Sequence, residues 1–146
     1  MRTRRPAMVF GSGLLLATLA MVVVLTREGI EARLLQRRAA LAGMARVKLS
    51  GKWGYIDRTG RIVINPQFEE AGDFSEGLAR VKTGGKWGYV DRTGRFLINP
   101  QFEEAGDFSQ GLARVKLGGK WGYVDRRGEV IIPPQFSEAS DFSRSF

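Results

Sequence analysis

"KWGYIDRTGRIVINPQFEEAGDF", residues 52–74, returns as "KWGYVDRTGRFLINPQFEEAGDF" at 86–108 and, more loosely, as "KWGYVDRRGEVIIPPQFSEASDF" at 120–142. Trp53, Trp87 and Trp121 stand 34 residues apart, as do Phe68, Phe102 and Phe136, and Phe74, Phe108 and Phe142. The phase begins earlier, at "ARVK" (45–48, 79–82, 113–116), which sets units of 45–78, 79–112 and 113–146. Units one and two differ at 6 of 34 positions and units one and three at 12, so the third unit reports which positions tolerate change.

A period of this length also suits helical repeats, but the turn chemistry reads as strands. Val47-Lys48-Leu49 leads into Ser50-Gly51 and then Lys52-Trp53-Gly54-Tyr55-Ile56-Asp57; the later units use Gly84-Gly85 and Gly118-Gly119. A two-residue glycine turn between β-formers is a tight hairpin. Asp57-Arg58-Thr59-Gly60 opens a second one, with Asp starting the turn and Gly60, Gly94 or Gly128 supplying the left-handed residue. Ile62-Val63-Ile64 then reads as a third strand, stopped by Asn65-Pro66. Each unit is expected to be a three-stranded antiparallel meander, about 45–49, 52–57 and 61–65 in the first copy. "QFEEAGDFSEG" is expected to be a connector pinned by Phe68 and Phe74, with a short extra strand near 68–71.

In strand 52–57, Trp53, Tyr55 and Asp57 share a face, and Gly54 leaves room for a neighbouring backbone or ring. One meander is marginal in water. Stacked copies bury a continuous core, so the phrase recurs because one copy does not hold itself together. The expected fold is an all-β region of tandem meanders, solenoid-like or open and propeller-like, preceded by an α-helical membrane segment.

These residues resemble the WG repeat family, whose signature is Lys-Trp-Gly-Tyr-Ile/Val-Asp, a glycine turn, an apolar strand and Pro-x-Phe/Tyr. The matching positions are Trp53, Gly54, Tyr55, Asp57, Gly60, Phe68 and Phe74; Trp87, Gly88, Tyr89, Asp91, Gly94, Phe102 and Phe108; and Trp121, Gly122, Tyr123, Asp125, Gly128, Phe136 and Phe142. The resemblance covers 43–146. It implies a bacterial β-rich repeat region, often in envelope or secreted proteins, with no established activity and no catalytic residues. The chain is short for the family and stops where another "GLARV" would begin, so a complete closed assembly is not expected.

The 146 residues hold no cysteine and no histidine, which removes disulfides, thiolate metal sites and the commonest general base near neutral pH. The net charge of +8 is uneven: residues 1–42 hold seven Arg and two Glu, whereas 43–146 hold 16 basic and 13 acidic side chains. "MRTRR" precedes an uncharged run of 19 residues, Ala7 to Leu25, about the length of a membrane span. With no good cleavage site after it, residues 1–26 are expected to be a signal anchor; cleavage to a secreted or periplasmic form is the alternative. Basic residues flank both sides of the run, and the short, early cluster favours the repeats lying outside the cytoplasm. Residues 27–42 read as a basic juxtamembrane helix or linker.

Three functional constellations compete. Asp57, Asp91 and Asp125, with Glu70, Glu104 and Glu138, could act as acid and base, but they recur with the fold, and an Asp that opens a turn already has a structural role. Neither EF-hand nor RTX spacing supports calcium. The three Trp could form a platform for sugars or quaternary ammonium groups, or pack in the core, which is the preferred reading. Lys52, Lys86 and Lys120, with Arg58, Arg92 and Arg126, form candidate interaction ladders; acidic neighbours nearly balance them, so nucleic acid ranks last. The expectation is a non-catalytic, membrane-anchored scaffold without cofactor or metal, binding another envelope protein or itself. The alternative is a carbohydrate or cell-wall binding module.

Overall fold

In a computed structural model of the chain, residues 27, 29–35 and 43–144 are described. They belong to two compact units divided after Arg38. In the first, residues 29–35 are helical and solvent-exposed. The expected membrane segment at 7–25 lies outside the described residues, as does 36–42. Among the described residues no helix is long and apolar enough to cross a membrane.

The second unit is built of strands: β1 (Ala45–Leu49), β2 (Lys52–Ile56), β3 (Ile62–Phe68), β4 (Glu70–Ala71), β5 (Leu78–Thr83), β6 (Lys86–Asp91), β7 (Phe96–Phe102), β8 (Glu104–Ala105), β9 (Leu112–Leu117), β10 (Lys120–Asp125) and β11 (Val130–Phe136). They form three antiparallel sheets, ordered β1-β2-β3, β4-β5-β6-β7 and β8-β9-β10-β11. The glycine turns behave as their chemistry requires. Ser50 and Gly51 have φ of 51° and 79°, and Gly84-Gly85 and Gly118-Gly119 are also positive at both positions, the signature of a type I′ hairpin.

The sheets depart from the expected meanders in three ways. First, the second and third contain four strands. The extra strand comes from the preceding repeat: Glu70 pairs with Lys82 and Ala71 with Val81, and Glu104 with Lys116 and Ala105 with Val115. The structural unit is therefore out of phase with the sequence unit. Second, Asn65-Pro66 does not stop the third strand, because β3 runs on to Phe68. Trp53 lies opposite Phe68 and Tyr55 opposite Ile64, so Asn65-Pro66 bulges out of the ladder. Proline is tolerated in an edge strand and at a bulge, where no ladder donor is needed. Gly54 faces that bulge: a Cβ there would stand 2.5 Å from the Ile64 carbonyl oxygen and 2.6 Å from the Pro66 nitrogen. Third, the connector holds another hairpin turn. Glu76 and Gly77 have φ of 52° and 80°, and Ser75 and Leu78 exchange backbone hydrogen bonds of 2.9 and 3.1 Å.

A further slip divides the apolar run. Ile56 pairs with Ile62 but Tyr55 with Ile64, which leaves Val63 as the inserted residue. Ile64 therefore turns to the Tyr55 face and Ile62 to the Ile56 face. Ile64 is buried while Ile62 is 50% exposed.

The core lies between successive sheets. One cluster joins Tyr55, Ile64 and Phe68 to Ala71, Ala79, Val81 and Val90 of the next sheet. The other joins Trp87, Tyr89, Ile98, Phe102 and Phe108 to Ala113, Val115 and Val124. Each sheet thus turns an aromatic face to its successor and a small aliphatic face to its predecessor. Full burial of one such Phe contributes about 1.5–3 kcal/mol, so each junction stabilises the sheets on both sides.

Candidate interaction surface

The repeated signature residues build the array from inside. The Tyr55 hydroxyl donates to the Gly72 carbonyl at 2.7 Å, Tyr89 to Gly106 at 2.6 Å and Tyr123 to Ser140 at 2.7 Å. Each bond ties β2, β6 or β10 to the segment that leaves its own sheet. Burial pushes the Tyr55 and Tyr89 phenols well above their ordinary range, so both remain neutral donors. Phe74, Phe108 and Phe142 pack against these rings at 4.8, 4.7 and 4.8 Å between centroids.

Trp87 and Trp121 are each 8% exposed, and Trp53 is half-buried. An arginine from the neighbouring strand lies over each ring: Arg46 over Trp53 at 5.1 Å, Arg80 over Trp87 at 5.1 Å and Arg114 over Trp121 at 5.0 Å. Such cation–π contacts occupy the ring face. Arg80 and Arg114 are held in place by Asp107 and Asp141, at 3.0 and 2.9 Å. The groove between the Trp87 and Trp121 junctions, about 350 Å³, is lined by Glu70, Lys82, Glu103 and Glu104, and by Trp87 and Trp121 with Arg80 and Arg114 over their rings.

Asp57, Asp91 and Asp125 organise turns. The Asp57 Oδ1 accepts from the Thr59 amide, the Thr59 hydroxyl and the Arg61 amide at 2.8, 2.6 and 3.1 Å. Asp91 repeats this with Thr93 and Arg95; Asp125 keeps the two backbone donors, from Arg127 and Glu129. The Thr59 hydroxyl chiefly holds the Asp57 carboxyl below its ordinary range. At Asp91 desolvation pushes the other way, and the Thr93 and Arg95 donors outweigh it. Glu70 and Glu104 sit on β4 and β8, each 3.8 Å from a lysine, Lys82 and Lys116. Glu138 is exposed in the third repeat. Among the described residues no three carboxylates gather where a metal could be held.

Lys52, Lys86 and Lys120 are exposed at the starts of β2, β6 and β10. Arg58 is exposed and Arg92 half-buried. Arg126 donates to the Glu76 carbonyl at 2.6 Å, so this member of the ladder braces the array.

A different repeated surface was not visible in the sequence pattern. Val63, Leu97 and Ile131 are 38%, 51% and 51% exposed, beside Ile62, Phe96 and Val130 at 50%, 36% and 49%. All six lie on β3, β7 and β11, which are edge strands. Three consecutive apolar residues read as a strand without saying which of them face outward; the inserted residue in the ladder leaves Ile62 and Val63 exposed. A bulge-prone Asn-Pro or Pro-Pro closing each strand was the available signal.

The sequence model of the WG containing repeat matches at residues 53–87, 87–121 and 121–146. No curated protein and no solved structure matches the chain. Three in-phase matches, falling on the Trp, Gly and Tyr that build each sheet, show that the chain belongs to the WG containing repeat family.

Proposed function

We propose that the repeat region is a non-catalytic scaffold, tethered to the bacterial membrane through residues 7–25 with its sheets outside the cytoplasm, and that it binds another envelope protein. The observation that carries this reading is the exposed apolar pair repeated on three edge strands, Ile62-Val63, Phe96-Leu97 and Val130-Ile131. Edge strands offer unpaired backbone groups, and apolar side chains beside them favour an extended partner segment. Equivalent positions repeated with the fold suit a repeating or elongated partner through avidity. The absence of histidine and cysteine from the sequence and the structural use of the aspartates favour binding over catalysis. The glycan reading is disfavoured by the arginines that cover the tryptophans.

A photo-crosslinking residue at Leu97, in the full chain in its native membrane, tests this. A discrete protein adduct at Leu97, absent from the same probe at Lys86, is the expected result. Adducts to cell-wall glycan alone, or none at either site, would favour the alternative module. Reporter fusions at Phe146 test the orientation.

A further inference from the structure

Two surfaces at opposite ends of the sheets are the two halves of a junction that the chain already makes twice. At the leading end, among the described residues, β1 pairs with β2 alone, whereas its equivalents β5 and β9 also hold the short strands β4 and β8. The face of the first sheet bearing Ala45, Val47 and Ile56 is exposed or half-exposed, while Ala79, Val81 and Val90, in the same places, are 0% exposed. At the trailing end, Glu138-Ala139 are the counterparts of β4 and β8 but form no strand. Phe136 and Phe142 are 42% and 39% exposed, where Phe102 and Phe108 are each 1%.

We propose that a second copy of this chain docks at the trailing end, head to tail, and re-creates the junction between sheets. The occupant follows from continuity: the chain carries both halves of an interface whose geometry is already on display between its own sheets. The register follows too. Ala139 would lie opposite Val47 of the second copy and Glu138 opposite Lys48, as Ala71 lies opposite Val81 and Glu70 opposite Lys82. Phe136 would meet Ile62 of the second copy as Phe68 meets Phe96, 6.2 Å away. The Ser143 hydroxyl would donate to the Phe74 carbonyl as Ser75 donates to Phe108 and Ser109 to Phe142, at 2.7 and 2.6 Å.

Two departures in the third repeat set the strength of this contact. Ser137 stands where Glu69 and Glu103 accept hydrogen bonds from the Gly85 and Gly119 amides at 3.3 and 3.1 Å. Ser140 stands where Gly72 and Gly106 lie; a Cβ at Gly72 would come within 2.8 Å of the Arg80 Cγ. Arg46 of the second copy must therefore turn aside. Docking between copies is weaker than the internal junctions and reversible. A heterologous contact of this kind extends into rows unless its rotation closes a ring. The inference rests on the sheet geometry alone and goes beyond the scaffold reading, whichever partner the edge strands bind.

The chain has no cysteine of its own, so single cysteines report the register directly. Lys48→Cys and Glu138→Cys are made separately in the full chain, in detergent micelles; both side chains are exposed. Mixed and mildly oxidised, the two variants are expected to form a disulfide-linked dimer, whereas neither alone does so. Glu138→Cys mixed with Lys86→Cys serves as the collision control. Sedimentation of a Ser137→Glu/Ser140→Gly variant should show self-association at a concentration at least tenfold lower than the parent chain. Linkage no faster than the control would overturn the proposal, and so would coverage of the β1 edge by the chain's own residues 1–42, because that blocks the mixed pair. Glu138→Cys linking to itself would overturn it in favour of a two-fold contact. A double variant that remains monomeric wherever the parent is monomeric would also count against it.

Discussion

Phe102 and Phe136 occupy the same place in two repeats, opposite Trp87 and Trp121 respectively. Yet one is 1% exposed and the other 42%. Their strands, partners and neighbours in sequence are nearly the same; what differs is that a further sheet covers Phe102. Gly88 and Gly122 teach the converse. A Cβ on either would meet the carbonyl oxygen of Ile98 or Ile132 at 2.6 or 2.5 Å, because each glycine faces a bulge within its own sheet. Some features of a repeat are therefore complete within it, and others are conferred by its neighbour.

Denaturant unfolding of point variants can break or sharpen that division. Phe102→Ala should show the largest loss, on the order of 3–5 kcal/mol. Phe136→Ala, measured at protein concentrations too low for self-association, should fall near the surface range of about 0.5 kcal/mol. Equal losses at high dilution would mean that burial does not depend on the succeeding sheet. Gly88→Ala and Gly122→Ala should be alike, each destabilising by about 1–3 kcal/mol or more as backbone is forced aside. A strong asymmetry between them would place the bulge among the neighbour-dependent features. Ser75→Ala removes a hydrogen bond that crosses to the next repeat at Phe108, and should cost about 1 kcal/mol. Ser109→Ala, whose acceptor belongs to the exposed Phe142, should cost less.

The smallest effect concerns acid. The folded-state pKa of Asp57 and Asp91 is lowered relative to the unfolded chain. Their contribution is present above the ordinary carboxylate value of about 4 and is lost as pH falls through the folded value. Thr59→Ala and Thr93→Ala should flatten the acid limb of the stability curve slightly and to similar extents, since in both turns the threonine hydroxyl donates to the aspartate at the same distance. A large difference between the two would contradict that symmetry.

Much of this architecture was legible in the chain. The glycine pairs announced the hairpins, the Asp-x-x-Gly turn announced the second reversal, and the period announced the stacking. These are local signals, read within a few residues of where they act. The strand handed across the junction was foreseen only as a short element near 68–71, because the partner that makes Glu70-Ala71 a strand is Val81-Lys82, in the next unit. The course of β3 through Pro66 and the outward turn of Ile62 and Val63 were missed. Both depend on register slips against β2, and a slip changes the face of a side chain without changing its hydrophobicity. Of the interaction surface, the basic ladders could be named from spacing. The bond from Arg126 to Glu76, 50 residues away, could not.

The handed-over strand also governs how such a chain can change length. Each period encodes the last strand of one sheet and the turn that begins the next, so every junction is written in the same text. Deleting any run of 34 residues within the repeats, such as 62–95, would bring β2 up to a strand with the sequence of β7 and leave the lacing whole. Deleting a single residue from a strand would instead turn the following side chains to the opposite face. At the level of the gene, the array can grow or shrink in whole periods from any starting point, while small frame-preserving losses inside a strand disrupt it.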